Sequence, residues 1–288
     1  MNYLKKPDWL KVKLPSHSNY FQVHQLLKKE GLHTICESAH CPNIGECWER
    51  KTATFLILGD VCTRNCAFCA VKKGKPLPVN EEEPEAVFRA VKEMQLRYVV
   101  ITSVTRDDLL DGGAGIFAQT IKLIKKNIPD VRVEVLIPDF QGKEEPLLQV
   151  LKAGPDVLNH NLETTVNIYP KINRPEANYY RSLNLLQRAS QFGAITKSGL
   201  MVGLGEKDED LKLALRDLRE SGCKLLTIGQ YLQPSPRHAP VVRYYTPEEF
   251  IKWRQFSLEL GFKEVVAGPL VRSSYFADQL FNSIRSLN

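Results

Sequence analysis

Residues 54–70 read TFLILGDVCTRNCAFCA. The first six, TFLILG from Thr54, form a short apolar, β-branched run of the kind that makes a buried strand, and a loop carrying Cys62, Cys66 and Cys69 follows at once. Downstream the same alternation repeats. Apolar runs occur at RYVVITS from Arg97, VRVEVLI from Val131, DVLNHNL from Asp156, KSGLMVG from Lys197 and LLTIGQY from Leu225. Between them lie segments of helical period, among them 84–95, 116–126, 179–192 and 208–221. Strand and helix alternating in this way predict an α/β chain whose core, residues 54–263, is a partial (βα)6 barrel of the TIM type with a parallel sheet. Several strands end in polar residues: Thr102-Ser103, Asn159-His160-Asn161 and Gln230-Tyr231. The carboxyl ends of barrel strands are where such folds place their chemistry.

Outside the core the pattern changes. Residues 1–53 are rich in Cys, His, Pro and charge, and residues 264–288 hold one last apolar run, VVAGPLV, followed by Arg272-Ser273-Ser274-Tyr275. Both read as extensions packed on the core. With 288 residues, 43% hydrophobic and 25% charged, the composition is that of an ordinary globular protein, and no apolar run approaches the roughly 18 residues that cross a bilayer. The start, MNYLKKPDWLKVKLP, lacks the apolar stretch of a secretory signal, so the expected compartment is the cytoplasm. The net charge of +6 gathers at Lys5, Lys6, Lys11 and Lys13 and at Lys72, Lys73 and Lys75. Such clusters make a solvated face or a dock for an acidic protein; no aromatic-studded basic motif points to nucleic acid, and no membrane contact is expected.

Six of the seven cysteines fall between positions 36 and 69. A reducing compartment keeps such thiols available for metals. Cys62, Cys66 and Cys69, three and then two residues apart, bring three thiolates to one compact centre and leave a fourth metal position without a cysteine ligand. Zinc normally takes four closed ligands at paired C-x-x-C spacing, which this loop lacks. The upstream set, Cys36, Cys41 and Cys47, also offers three thiolates. It suits an iron–sulfur centre completed by another residue, or a structural zinc with His33 or His40 as fourth ligand. Cys223, next to Gly222, reads as a packed small hydrophobe.

The arrangement Cys62-x-x-x-Cys66-x-Phe68-Cys69 resembles the signature of the radical S-adenosylmethionine superfamily. Joined to the Cys36, Cys41 and Cys47 triplet and to the stretches ITSVTRDD, NHNLE, TKSGLMVGLGE, GQYLQPS and VRSSY, in order, it resembles the lipoyl synthase family from Leu32 to Tyr275. Phe276 stands where that family has His. The resemblance implies two [4Fe–4S] clusters and S-adenosylmethionine as cofactors. It implies that Cys62, Cys66 and Cys69 hold the cluster that cleaves S-adenosylmethionine, and that Cys36, Cys41, Cys47 and Ser274 hold an auxiliary cluster that donates sulfur. The implied reaction inserts two sulfur atoms, at carbons 6 and 8 of an octanoyl chain attached to a lysine of a carrier protein. Implied contacts to S-adenosylmethionine or substrate are Phe68, Ser103, Asp107, Asn159, Asn161, Glu163, Arg174, Lys197, Met201, Gly203, Glu206 and Gln230. Implied partners are octanoylated lipoyl-carrier domains (E2 subunits of 2-oxoacid dehydrogenases, the glycine cleavage H protein) and a reduced ferredoxin or flavodoxin. The rival expectations are another radical sulfur inserter resembling biotin synthase, and a non-catalytic iron–sulfur or zinc protein.

Overall fold

The six apolar runs are all strands in a computed structural model that describes residues 4–12 and 18–285. Lys13, counted above in the first basic cluster, lies outside the described residues. The chain divides into two units, one built from Val12, residues 18–65 and Ala70–Leu158, the other from residues 4–11, Cys66–Cys69 and residues 159–285.

In the first unit the helix α1 (Ser18–Lys29) leads to the two-residue strand β1 (His33–Thr34) and the short helices α2 (Ile35–Ser38) and α3 (Ile44–Glu49). Then come β2 (Thr54–Ile57), β3 (Val61–Cys62), β4 (Lys72–Lys73), α4 (Glu83–Glu93), β5 (Tyr98–Ser103), α5 (Ala114–Asn127), β6 (Arg132–Leu136), α6 (Glu144–Lys152) and β7 (Val157–Asn159). β1 lies antiparallel on β2, and β2, β5 and β6 run parallel, with Phe55 opposite Ile101 and Ile101 opposite Val135. These strands bury residues on both faces, as the sequence of a covered parallel sheet requires. Val87 and Val91 of α4 and Phe117, Ile121 and Ile124 of α5 are fully buried on the helical side. Their three- and four-residue spacing sets one apolar stripe per helix towards the core.

In the second unit α7 (Ala177–Gln191) precedes β8 (Thr196–Val202), followed by α8 (Asp208–Glu220), β9 (Leu225–Gln230), α9 (Pro247–Glu259), β10 (Glu264–Gly268) and α10 (Ala277–Arg285). β8, β9 and β10 are parallel, and Leu200, Val202, Leu226, Ile228 and Val265 enter one core with Leu211, Leu215 and Leu218 of α8 and Phe250 of α9. The residues read as the opening of the C-terminal extension therefore begin with a sheet strand: Val265 pairs with Leu226 and Ala267 with Ile228. Glycine and proline break the VVAGPLV run and leave only five residues of strand, too few for the periodicity alone to separate strand from loop. The start of α9 is fixed by a capping box, Thr246 Oγ1 accepting from the Glu249 amide and the Glu249 carboxylate from the Thr246 amide.

Candidate active site

The chain enters the cysteine loop through a sharp bend. Leu58 (φ 68°) and Gly59 (φ 88°) both adopt left-handed backbone at the end of β2, and the Leu58 amide donates to Glu83 Oε2 at 2.6 Å. Burial pushes the Glu83 carboxyl above its usual range, against the pull of the Leu58 and Gly59 amides. Beyond the bend Cys62 sits in β3, paired parallel with Lys73, and its carbonyl accepts from the Gly74 amide at 3.0 Å. The Arg64 amide donates to Cys62 Sγ at 3.4 Å.

The other end of the loop, Cys66–Cys69, belongs to the second unit. Backbone ties hold it: the Cys69 amide donates to Cys66 O, the Ala67 amide to Ile172 O at 2.9 Å, and the Ala239 amide to Ala67 O at 2.8 Å. His238 Nε2 meets the Cys69 carbonyl at 3.1 Å, and its Nδ1 lies 2.8 Å from Ser235 Oγ. A carbonyl only accepts, so the ring carries a proton on Nε2. Phe68 and Met201 pack together on the apolar group of Ile168, Ile172, Leu204 and Tyr231. Burial, then the nearby Cys69, pushes the Tyr231 phenol upward.

Around β8 the implied polar residues converge. Asn161 Oδ1 accepts from Ser273 Oγ at 2.8 Å, and a Cβ built on Gly199 would lie within 2.9 Å of Asn161, Ser273 and Thr227 side-chain oxygens. Only glycine leaves that cradle open. Glu163, with left-handed backbone (φ 73°), bridges to Leu200 of β8. Desolvation pushes its carboxyl above the usual range, while Arg174 and Asn161 act in the opposite direction. Arg174 is buried, its guanidinium 5.2 Å from the Tyr169 ring centre, and its Nε meets no acceptor among the described residues. Thr164 and Thr165, directly after Glu163 in sequence, bury unpartnered hydroxyls, and in the first unit so does Ser103 at the end of β5. Buried donors left open in this way are costly unless a ligand completes them. Asn159 and Lys197 are fully buried as well.

Two of the implied contacts have other tasks. Glu206 accepts from the Gly203 and Leu204 amides at 2.6 and 2.9 Å and from Tyr245 Oη at 2.9 Å. Gln230 gives its carboxamide to the carbonyls of Val202, Tyr231 and Arg243, each at 3.1 Å, and accepts from the Tyr245 amide. Both therefore shape the backbone after β8 and β9. Gly203 (φ +100°) would set a Cβ 2.1 Å from Gln230 Nε2 and 2.6 Å from Arg243 O. Gly203→Ala is expected to cost about 3 kcal/mol through backbone strain and overpacking. A denaturant midpoint equal to that of the parent protein would contradict this.

The first triplet lies wholly in the first unit. Thr34 Oγ1 caps α2 by accepting from the Glu37 amide, which fixes Cys36, and the Cys41 amide donates to Cys36 O at 2.9 Å. Cys47 lies in α3, its carbonyl held by Thr52 Oγ1 at 2.8 Å. Burial pushes the Cys36 thiol up to about 11, with the Cys41 charge adding, while the Thr54 amide and the Trp48 side chain pull it down. Burial pushes Cys47 up to about 12, and Cys36 and Cys41 raise it further. Burial and mutual repulsion thus hold Cys36 and Cys47 protonated unless a cation offsets their charge, which fits the ligands of an iron–sulfur centre. Among the described residues no three His, Cys, Asp or Glu close on a single-ion site; a cubane spreads its ligands over several irons instead.

In the Arg272–Tyr275 segment, Arg272 Nη1 donates to Val271 O at 2.6 Å and Gln230 O at 3.3 Å, and the Tyr275 amide donates to Arg272 O. Ser274 is half-buried between these ties. Sequence reasoning missed Glu83 and Asp139, whose partners are remote in the chain, and gave Arg64 no role. It also left Trp48 aside, although a tryptophan directly after Cys47 and fully buried is a visible signal.

No helix among the described residues is long and apolar enough to cross a membrane. The profile of the Radical SAM superfamily matches residues 56–218. The lipoyl synthase of Caldicellulosiruptor bescii is 52% identical over 289 residues, covering 100% of this chain and 99% of the relative. That of Chlorobaculum parvum is 54% identical over 276 residues, covering 95% and 94%. Among solved structures, methylornithine synthase superposes with a TM-score of 0.56 at 15% identity, over 85% of this chain and 70% of that one, a likeness of fold and of the partial TIM-type barrel alone. The chain belongs to the lipoyl synthase family of radical S-adenosylmethionine enzymes.

Proposed function

We propose that this protein is a lipoyl synthase, inserting sulfur at carbons 6 and 8 of an octanoyl chain amide-linked to a carrier lysine. The observation that carries the reading is the pairing of two cysteine triplets, one in the loop after β2 and one upstream in α2 and α3, in a chain about half identical to relatives of that name. Cys62, Cys66 and Cys69 would hold one [4Fe–4S] cluster, and Cys36, Cys41 and Cys47 with Ser274 the other. Residues 1–53 and the segment that follows β10 then serve as extensions of the core that carry the second set. Unactivated C–H bonds resist every acid, base or nucleophile in the side-chain repertoire, and the Cys62 cluster with S-adenosylmethionine supplies the carbon radical that attacks them. Sulfur enters as cargo from the centre held by the upstream triplet.

The chain's own residues orient and shield. Phe68 and Met201 offer an apolar wall beside the loop, and Asn159, Asn161, Glu163, Arg174 and Lys197 of the same unit offer polar and charged groups for an amino acid or ribose; Ser103 of the first unit offers a hydroxyl. Gly199 keeps open the space ringed by Asn161, Ser273 and Thr227, while Gly203 lets Gln230 and the Arg243 carbonyl pack on the backbone after β8. A serine oxygen is a harder ligand than thiolate, so a corner held by Ser274 is the readily exchanged one, which suits a centre consumed in use. The exposed Lys72, Lys73 and Lys75 supply a basic face for an acidic carrier domain, whether from an E2 subunit or a glycine cleavage H protein. Electrons would come from ferredoxin or flavodoxin, and the compartment is the cytoplasm. The test is anaerobic incubation of the reconstituted protein with an octanoyl-lysyl peptide, S-adenosylmethionine and a low-potential reductant. The peptide is expected to gain two sulfur atoms; cleavage of S-adenosylmethionine with no gain of sulfur would defeat the reading.

A further inference from the structure

Arg64 lies between Cys62 and Cys66, and its guanidinium is pinned from two sides. Nε and Nη2 grip Asp107 as a fork, at 2.7 and 2.9 Å, and Nη2 also reaches Asp139 Oδ1 at 2.5 Å. Both carboxylates are themselves fixed. The Asp107 amide donates to Thr63 Oγ1 at 3.1 Å, and the Thr63 amide donates to Thr105 O at 3.0 Å. Asp139 is wholly buried and also accepts from the Gln141 amide at 3.0 Å. The clamp therefore joins the cysteine loop to the loops that follow β5 and β6. Planar two-point pairing of this kind fixes geometry in a way a lysine cannot reproduce. At the other end of the same residue, the Arg64 main-chain N–H donates to Cys62 Sγ at 3.4 Å.

We propose that Arg64, held by Asp107 and Asp139, is a positioning residue that keeps its own backbone N–H on the Cys62 sulfur and so sets the reduction potential of the iron–sulfur centre carried there. The proposal rests on the reading of Cys62, Cys66 and Cys69 as cluster ligands. A hydrogen bond to a cluster sulfur favours the reduced, more negative state and raises the potential; losing it lowers the potential. One guanidinium and two carboxylates sum to a single negative charge, so position and charge make opposite demands on the variants. It also gives Asp107, implied above as a cofactor contact, the task of holding the loop.

The experiment is a redox titration of the reconstituted full-length protein followed by electron paramagnetic resonance, taking as the Cys62 signal the one missing from Cys62→Ala. Asp107→Asn removes a negative charge, which alone moves the potential up, but it loosens the fork. The clamp requires the potential to move down. Arg64→Lys keeps the charge and loses the fork, and it too must move down, with faster loss of iron to a chelator. An upward shift in Asp107→Asn, or a potential and iron retention in Arg64→Lys equal to those of the parent, overturns the proposal. Should Arg64→Lys fail to keep iron, the sign in Asp107→Asn decides. If the parent protein takes up no iron that Cys62→Ala removes, the cluster reading has failed and not the clamp.

Discussion

Cys62→Ala is expected to bring reductive cleavage of S-adenosylmethionine down to the level of a protein-free control. It is also expected to lower the bound iron from about eight to about four per chain, by the arithmetic of two cubane clusters. Three thiolates already leave one iron without a cysteine, and two leave the centre too weakly held to persist. The loss is local, because Cys62 is only half-buried in a two-residue strand and removing its sulfur opens no core cavity. The thermal midpoint of the cluster-free protein should therefore match that of the parent. Cleavage by the variant at a tenth of the parent rate or more would contradict the assignment.

The second large effect belongs to Ser274. Ser274→Ala removes the implied oxygen ligand, and sulfur gain by an octanoyl-lysyl peptide is expected to fall to background while cleavage of S-adenosylmethionine stays within about twofold, since that step needs only the other cysteine set. Ser274→Cys should restore a firmly held four-iron centre yet not the sulfur gain, because thiolate binds iron more tightly than a serine oxygen and closes the exchangeable corner. Product formation by Ser274→Ala at the parent rate would show that the serine is no ligand. The ties of Arg272 to the Val271 and Gln230 carbonyls leave the main chain of this segment in place in either variant, so the comparison isolates the hydroxyl.

Much of this was legible in the sequence because the relevant signals are local. The runs TFLI and YVVITS announce strands through consecutive β-branched and apolar residues, and their pairing in the parallel sheet follows from the helix between them. The cysteine spacings speak of thiolate chemistry without any three-dimensional information. What stayed hidden has partners far along the chain: Arg64 reaches Asp107 43 residues away and Asp139 75 residues away, with no period to betray it. Glu206 and Gln230 illustrate the converse. Their positions in motif-like stretches suggest ligand contacts, yet the backbone amides and carbonyls around Tyr245 and Gly203 take up their hydrogen-bonding groups. A buried main-chain group must be satisfied, and sequence does not say by whom. The strand at Glu264–Gly268 is a third kind of case, decided by its neighbour β9 and not by its own composition.

The most direct test of the central claim follows the sulfur itself. The protein is reconstituted with sulfide of a heavy isotope, freed of excess, and allowed a single turnover on an octanoyl-lysyl peptide, whose product is then weighed by mass spectrometry. If the centre held by Cys36, Cys41 and Cys47 is the donor, both inserted sulfur atoms are heavy, and none enters when those three cysteines are replaced by alanine. A product carrying light sulfur, or a triple variant that still makes product, would contradict it.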